Sequence, residues 1–311
     1  MRDYAIVVQS NGLAPEPIEI PPPGPGEVRI RQTAVALSFA DLRARLSTVP
    51  GSSAVGVVEA AGRRAGFAVG ERVAYAAGPP GAYVSVRNVP ATAVVPVPDA
   101  ISDEDAAAVL DKGLLAWALL RQVYPVQAGE TVVFHAAAGG VGLLAGQWLS
   151  HLGARAIGTV GSADKVRLAV ENGYDEVVLY RTDDLAARAH DLTDGAGVPV
   201  VYDPIGAATF EMSLAALRPR GLLVSFGAIS GPVTGVDLSA LEGSLSVVRP
   251  RLADYLPDAT TLRAAASELF GLVDAGVIRP NLRQRFDLAD AGKAQEALES
   301  RATVGATVLL P

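Results

Sequence analysis

The chain contains no cysteine, which removes disulfides, thiol nucleophiles and thiolate-bound zinc from consideration. Histidine is almost as scarce: His135, His151 and His190 are the only 3, and no two are spaced as a metal pair. No catalytic metal is expected. Cationic charge is short as well. Lys and Arg number 26 against 33 Asp and Glu, and the net charge of −7 argues against a nucleic-acid surface as the main business. No apolar run reaches the roughly eighteen residues that a membrane span needs. The opening residues, Met1 to Val8, alternate like a first strand and lack the apolar core of a signal peptide. A cytoplasmic protein with no membrane partner is the expectation.

What the chain does have is length and apolar content. Its 311 residues, 50% of them hydrophobic, suit two domains with substantial cores. Up to about Pro98 the pattern is of short alternating strands cut by Pro and Gly clusters, as in "PPPGPGEVRIRQTAVALS". From Ser102 the segment "SDEDAAAVLDKGLLAWALL" has helical spacing behind a Ser cap, with acids in its first turn. Strands and helices then alternate as in a parallel sheet covered on both faces. The predicted strands are 131–135, 155–160, 176–179, 199–203, 222–226 and 245–248. Helices are expected near 140–152, 163–172, 184–192, 207–217 and 259–275, before a closing strand, helix and strand. The segment 243–255 reads as an edge strand followed by extended chain, a place for sheet-to-sheet pairing.

The stretch "TVVFHAAAGGVGLLAGQWLSHLGARAIGTVGSADK" carries the chemistry. Ala137-x-Gly139-x-x-Gly142 keeps two of the three glycines of a dinucleotide fingerprint, set between a predicted strand and helix. Small residues are needed there because the backbone must approach a pyrophosphate, and the helix must lie tightly on the first strand. At the end of the second strand an NAD site usually has an acid for the ribose hydroxyls, but here "GTVGSADK" has none before Asp164. Ser162 and Lys165, helped by Tyr180 or Arg181, offer donors and charge for a 2′-phosphate instead, which favours NADPH.

The segments "FHAAAGGVGLLAGQW", "HLGARAIGTVGSADK", "VVYDPIG", "GLLVSFGAISGPVTGV", "SELFGLVDAGVI" and "ALESRATVGATVLLP" resemble the bacterial NADPH:quinone oxidoreductases, the zeta-crystallin-like branch of the zinc-free medium-chain dehydrogenases. The resemblance runs almost end to end. It implies an α/β protein: a GroES-like β-rich domain made from both chain ends, 1–117 and 257–311, around a Rossmann domain with a doubly wound parallel sheet, 118–256. It further implies NADPH in the cleft between them and a homodimer joined through the Rossmann sheets. Matched residue by residue, Ala137, Gly139, Gly140, Val141 and Gly142 form the phosphate turn. Gly161 and Lys165 meet the adenosine phosphate, Tyr180 the adenine-ribose, and Phe226 with Gly227 the nicotinamide. Arg301 approaches the cofactor from the C-terminal segment, and Asp41 in "SFADL" lines the cleft.

Departures from the family cluster at the other end. Ser38 stands where the family commonly has Asn, Arg43 where it has Tyr, Leu115 where a Thr hydroxyl is common, and Ser53 where a Glu is expected. The adenosine end is kept and the reactive end is rewritten. Ser38, Asp41 and Arg43 are therefore the candidate catalytic residues. Ser38 or Arg43 can donate to a developing enolate oxygen, with water or Tyr75 returning the proton. The expected activity is metal-free, NADPH-dependent reduction of a small conjugated carbonyl, a quinone or an enone. An enoyl reductase for a polyketide-type intermediate, and a non-redox cyclase or binding role on the same fold, are the alternatives.

Overall fold

In the computed structural model, residues 3–43, 48–76, 78–300 and 303–311 are described, with position 43 described by its backbone alone. Short strands build the first part, β1 (Tyr4–Gln9), β2 (Gly12–Pro17), β3 (Glu27–Ala36), β4 (Ala54–Ala61), β5 (Arg72–Tyr75), β6 (Val86–Pro90) and β7 (Val94–Pro96), and in β3 the alternation of Val28, Ile30 and their polar neighbours sets which face is buried. Helix α1 (Asp103–Trp117) begins at Ser102, whose hydroxyl oxygen accepts the Asp105 amide at 3.1 Å. That is the anticipated cap. A π-helical stretch, Ala118–Val123, continues it.

The strand and helix alternation follows. The elements are β8 (Thr131–Phe134), α2 (Gly140–His151), β9 (Arg155–Val160), α3 (Val166–Val170), β10 (Glu176–Leu179), α4 (Leu185–Asp191), β11 (Val198–Asp203), α5 (Phe210–Ala216), β12 (Leu217–Ser225), β13 (Ser246–Val248) and α6 (Leu252–Tyr255). The strands form a six-stranded parallel sheet in the order β10-β9-β8-β11-β12-β13. The chain closes with α7 (Ala259–Asp274), β14 (Leu282–Asp287), α8 (Ala291–Glu299) and β15 (Ala306–Leu310). These last strands join a seven-stranded sheet ordered β14-β15-β3-β4-β5-β7, with β6 on β3, so strands from the N-terminal and C-terminal parts of the chain share one sheet, while β1 and β2 pair as a separate two-stranded sheet.

Two units result: residues 1–114 with 256–311, and residues 115–255. The first division falls inside α1, three residues before the expected break at 117, and the second one residue before 256. Each unit has its own core. Ile6, Ile30, Val35, Val58, Tyr75, Tyr83 and Leu309 lie in the first, and Val133, Ile157, Val201, Leu214 and Leu223 in the second.

Two expectations need correction. The segment after β13 is not extended throughout, because Leu252–Tyr255 form a short helix in which Arg251 pairs with Asp254 at 2.7 Å. Helix α5 starts three residues later than expected. The Ala207 and Ala208 amides go to the Gly231 carbonyl at 3.1 Å and the Ser230 hydroxyl at 2.9 Å, which holds that stretch to the next loop. Among the described residues, no helix is long and apolar enough to cross a membrane.

Candidate functional site

The glycine turn sits at the carboxyl end of β8, where parallel sheets place their ligands. Ala137 is buried and its amide donates to the Thr159 carbonyl at 2.9 Å, tying the turn to β9. Gly139 is the N-cap of α2 and, having no side chain, gives no cap bond to the first amides of the helix beside Gly140 and Val141. A Cβ at Gly142 would lie 2.8 Å from the Ala137 carbonyl oxygen, and backbone cannot move aside. The spacing read from the sequence is thus a steric necessity of helix against turn.

The adenosine end follows β9. The edge of the Tyr180 ring lies 3.4 Å from where a Gly161 Cβ would be, so these two residues form one wall. The Arg181 guanidinium stands 5.8 Å from the Tyr180 ring centroid. Lys165 is half-buried in the 3-10 turn Ala163–Lys165. Ser162 differs from expectation in one respect: its hydroxyl bonds the Asp164 carboxylate and holds that carboxyl below the usual range. Asp164 therefore puts negative charge beside the residues expected to meet a phosphate.

At the ends of β11 and β12 two loops interlock. Asp203, 1% exposed, accepts the Ile205 amide at 2.7 Å and the Gly206 amide at 3.1 Å through one oxygen. A Cβ at Gly227 would lie 2.6 Å from the Pro204 Cα. Arg249 donates to the Ser225 carbonyl at 3.0 Å and to the Gly227 carbonyl, clamping the second loop. Phe226 is half-buried, its ring 5.7 Å from that of Phe134. Asp203 carried no signal in the sequence beyond the "YDPIG" match and Arg249 none, because the backbone groups they hold carry no mark in a sequence and Thr209, Ser213 and Ser225 meet them only once the chain is folded.

The other unit holds a second polar group. Asp41, 5% exposed, accepts the Ser38 amide at 2.8 Å and the Tyr83 hydroxyl at 3.1 Å through the same oxygen. Burial pushes its carboxyl up to about 6, and the neighbouring Asp111 adds to the rise while the Ser38 amide, Tyr83 and Lys112 oppose it. Lys112 is buried and donates to the Leu37 carbonyl at 3.2 Å; burial pushes its ammonium down, against Asp111 and Asp41. Ser38 and Asp41 come together as expected, but the Arg43 side chain, and Arg301, lie outside the described residues. Ser38 Oγ and Ser53 Oγ are buried without a protein partner. Tyr75 corrects a sequence expectation: it is 1% exposed, its hydroxyl is given to Gln32, and burial pushes it up to about 12, so it has no route to a substrate proton. Tyr83 and Lys112 had not been singled out; a loop tyrosine far along the chain leaves no local pattern.

The chain matches two family descriptions, "Alcohol dehydrogenase GroES-like domain" over residues 24–99 and "Zinc-binding dehydrogenase" over residues 140–257. It is 50% identical to a quinone oxidoreductase of Pseudomonas aeruginosa, covering 93% of this chain and 92% of that one. A 2-haloacrylate reductase of Burkholderia is 37% identical, covering 95% and 94%. The crystal structure of the Escherichia coli quinone oxidoreductase complexed with NADPH superposes with a TM-score of 0.93 at 41% identity, covering 100% and 99%. The residues present do not fit the zinc of the second description. Cysteine is absent, the His190 nitrogens lie 3.0 Å from the Gly195 carbonyl and 3.2 Å from that of Ala215, and no cluster of three metal-ligating side chains occurs among the described residues.

Proposed function

The chain belongs to the quinone oxidoreductase family of the medium-chain dehydrogenases, and from that premise we propose that it binds NADPH and reduces a quinone or an enone. The observation that carries the reading is the uncapped α2 N-terminus behind a glycine turn, followed just past the end of β9 by Gly161 and Ser162, where an NAD site has its acid, and by Lys165. A pyrophosphate suits the former and a 2′-phosphate the latter.

NADPH, when bound, supplies a hydride; with one proton from solvent, a quinone becomes a hydroquinone and NADP⁺ is released. The protein supplies position and charge. Ala137 to Gly142 hold the pyrophosphate on backbone amides, while Gly161, Ser162, Lys165 and Tyr180 hold the adenosine end. Phe226 and Gly227 border the nicotinamide. Ser38 offers a hydroxyl to the carbonyl oxygen of the substrate, and Asp41 sets that serine by accepting its amide. The 2-haloacrylate reductase likeness favours including activated enoates among the substrates.

We further assign the exposed edge of β13, where Val247 is 43% exposed, as the surface of a homodimer, and the cytoplasm as the compartment.

Single-turnover stopped-flow absorbance of NADPH against quinones, enones and enoates tests the activity. Rapid oxidation by one class is the expected outcome and names that class. Tight NADPH binding without oxidation by any of them would overturn the reductase reading in favour of a non-redox role.

A further inference from the structure

Beneath the phosphate turn lies a buried polar chain that the steps above leave unused. His135, fully buried just after β8, has Nδ1 2.8 Å from Thr159 Oγ1 and Nε2 2.9 Å from Ser213 Oγ. Ser213 Oγ lies 2.6 Å from the Thr209 carbonyl and 3.3 Å from Oδ2 of Asp203. The Thr209 hydroxyl donates to that same Oδ2 at 2.8 Å. These residues are not a nucleophilic triad, because all are at most 1% exposed and the carboxylate faces the serine instead of the imidazole.

Counting protons fixes the tautomer. Ser213 has one hydroxyl hydrogen, and the Thr209 carbonyl is its nearest acceptor. The Ser213 oxygen must then accept from Nε2–H, and Nδ1 must accept from the Thr159 hydroxyl. Every donor in the chain finds an acceptor with a neutral ring, and burial lowers the imidazole pKa in the same direction, against the pull of Asp203.

Both ends of this chain belong to the proposed cofactor edge. Thr159 holds the Ala137 amide, and Ala136, the residue after His135, sits at φ 55, a left-handed conformation that a residue with a Cβ keeps only when its surroundings enforce it. At the other end Asp203 shapes the loop from Pro204 to Gly206 that packs on Gly227. We propose that His135, as the Nε2–H tautomer, is a positioning residue that locks the phosphate turn to the nicotinamide-side loop, so that the two halves of NADPH are held in one relation. The proposal rests on the NADPH reading above.

The test separates the two ends with two probes, NADPH and 2′,5′-ADP, which carries the adenosine phosphates alone. Ser213→Ala cuts the link on the Asp203 side. It should leave the 2′,5′-ADP Kd within about twofold while kcat falls about tenfold. Thr159→Val cuts the turn side and should weaken both probes. Nitrogen-15 NMR of the imidazoles reads the tautomer without any variant and should show His135 neutral with its proton on Nε2. An unchanged kcat in Ser213→Ala, an equal loss of 2′,5′-ADP affinity, or an Nδ1–H or doubly protonated ring would each overturn the proposal. Unmodified protein that binds neither probe would overturn the NADPH reading first, and this inference with it.

Discussion

In the middle unit the hydroxyls of Thr159, Thr209 and Ser213 all have partners, whereas in the terminal unit those of Ser38 and Ser53 have none. The first set surrounds a neutral imidazole and a carboxylate whose two oxygens accept the Ile205 and Gly206 amides and the Thr209 hydroxyl. In the second, Ser38 adjoins Asp41, a carboxyl raised to about 6 by burial, and Lys112, an ammonium that burial lowers, bonds the neighbouring Leu37 carbonyl. A closed network rigidifies what it holds, while one with open valences costs stability and leaves donors and acceptors for something else. The contrast runs parallel to the sequence departures: the segments that hold the turn, Thr159 and Asp203 resemble the family, and Ser38 and Ser53 do not.

The comparison breaks most visibly at Gly142. Gly142→Ala sets a Cβ against the carbonyl oxygens of Ala136 and Ala137, and should cost about 3 kcal/mol or more and abolish NADPH binding. Denaturant titration and fluorescence of bound NADPH check it; a stable variant with normal affinity would mean the turn is looser than described.

The pH dependence of stability should differ in sign between the two networks. Asp41 binds its proton more tightly folded, at about 6, than at the ordinary 3.8, so its contribution falls as pH rises from about 4 to 6, by up to about 3 kcal/mol. His135 is lowered, so its contribution falls as pH drops below 6.5. Asp41→Asn should remove the first slope and keep the second. Loss of both, or neither, in melts from pH 4 to 8 would show that the networks are not independent.

Lys165→Ala should weaken NADPH about tenfold and leave NADH nearly unchanged, since only the 2′-phosphate is addressed. Equal weakening of both cofactors would move the phosphate elsewhere. The smallest effect expected is at Ser53, which is 2% exposed. Removing a hydroxyl without a protein partner should raise stability by about 1 kcal/mol in Ser53→Ala. A loss instead would mean that the hydroxyl is satisfied in solution.

Much of the fold was legible in the chain. The strands Arg155–Val160 and Glu176–Leu179 begin and end where the alternation with helices put them. The start of α5 was missed because the amides of Ala207 and Ala208 are drawn to a loop more than twenty residues away. The short helix Leu252–Tyr255 was missed because a single turn is too brief to show a period. At the site, Gly142 was readable because close approach leaves no choice of residue, whereas Gly161 was legible only through the family resemblance, since a Cβ there would meet Tyr180 at an ordinary 3.4 Å. Tyr75 was misjudged because a hydroxyl near a rewritten pocket reads as a proton donor until its burial is known.

The sequence by itself determined the order of strands and helices, the glycine turn and the lack of metal-ligating thiols, because each follows from local periodicity, steric demand or composition. Only the tertiary structure decided that Asp41 meets Tyr83, 42 residues on, and that His135 meets Ser213, 78 residues on. Such pairings are set by how sheets and helices stack, and a polar side chain carries no mark of its distant partner until packing brings the two together and water is excluded from between them.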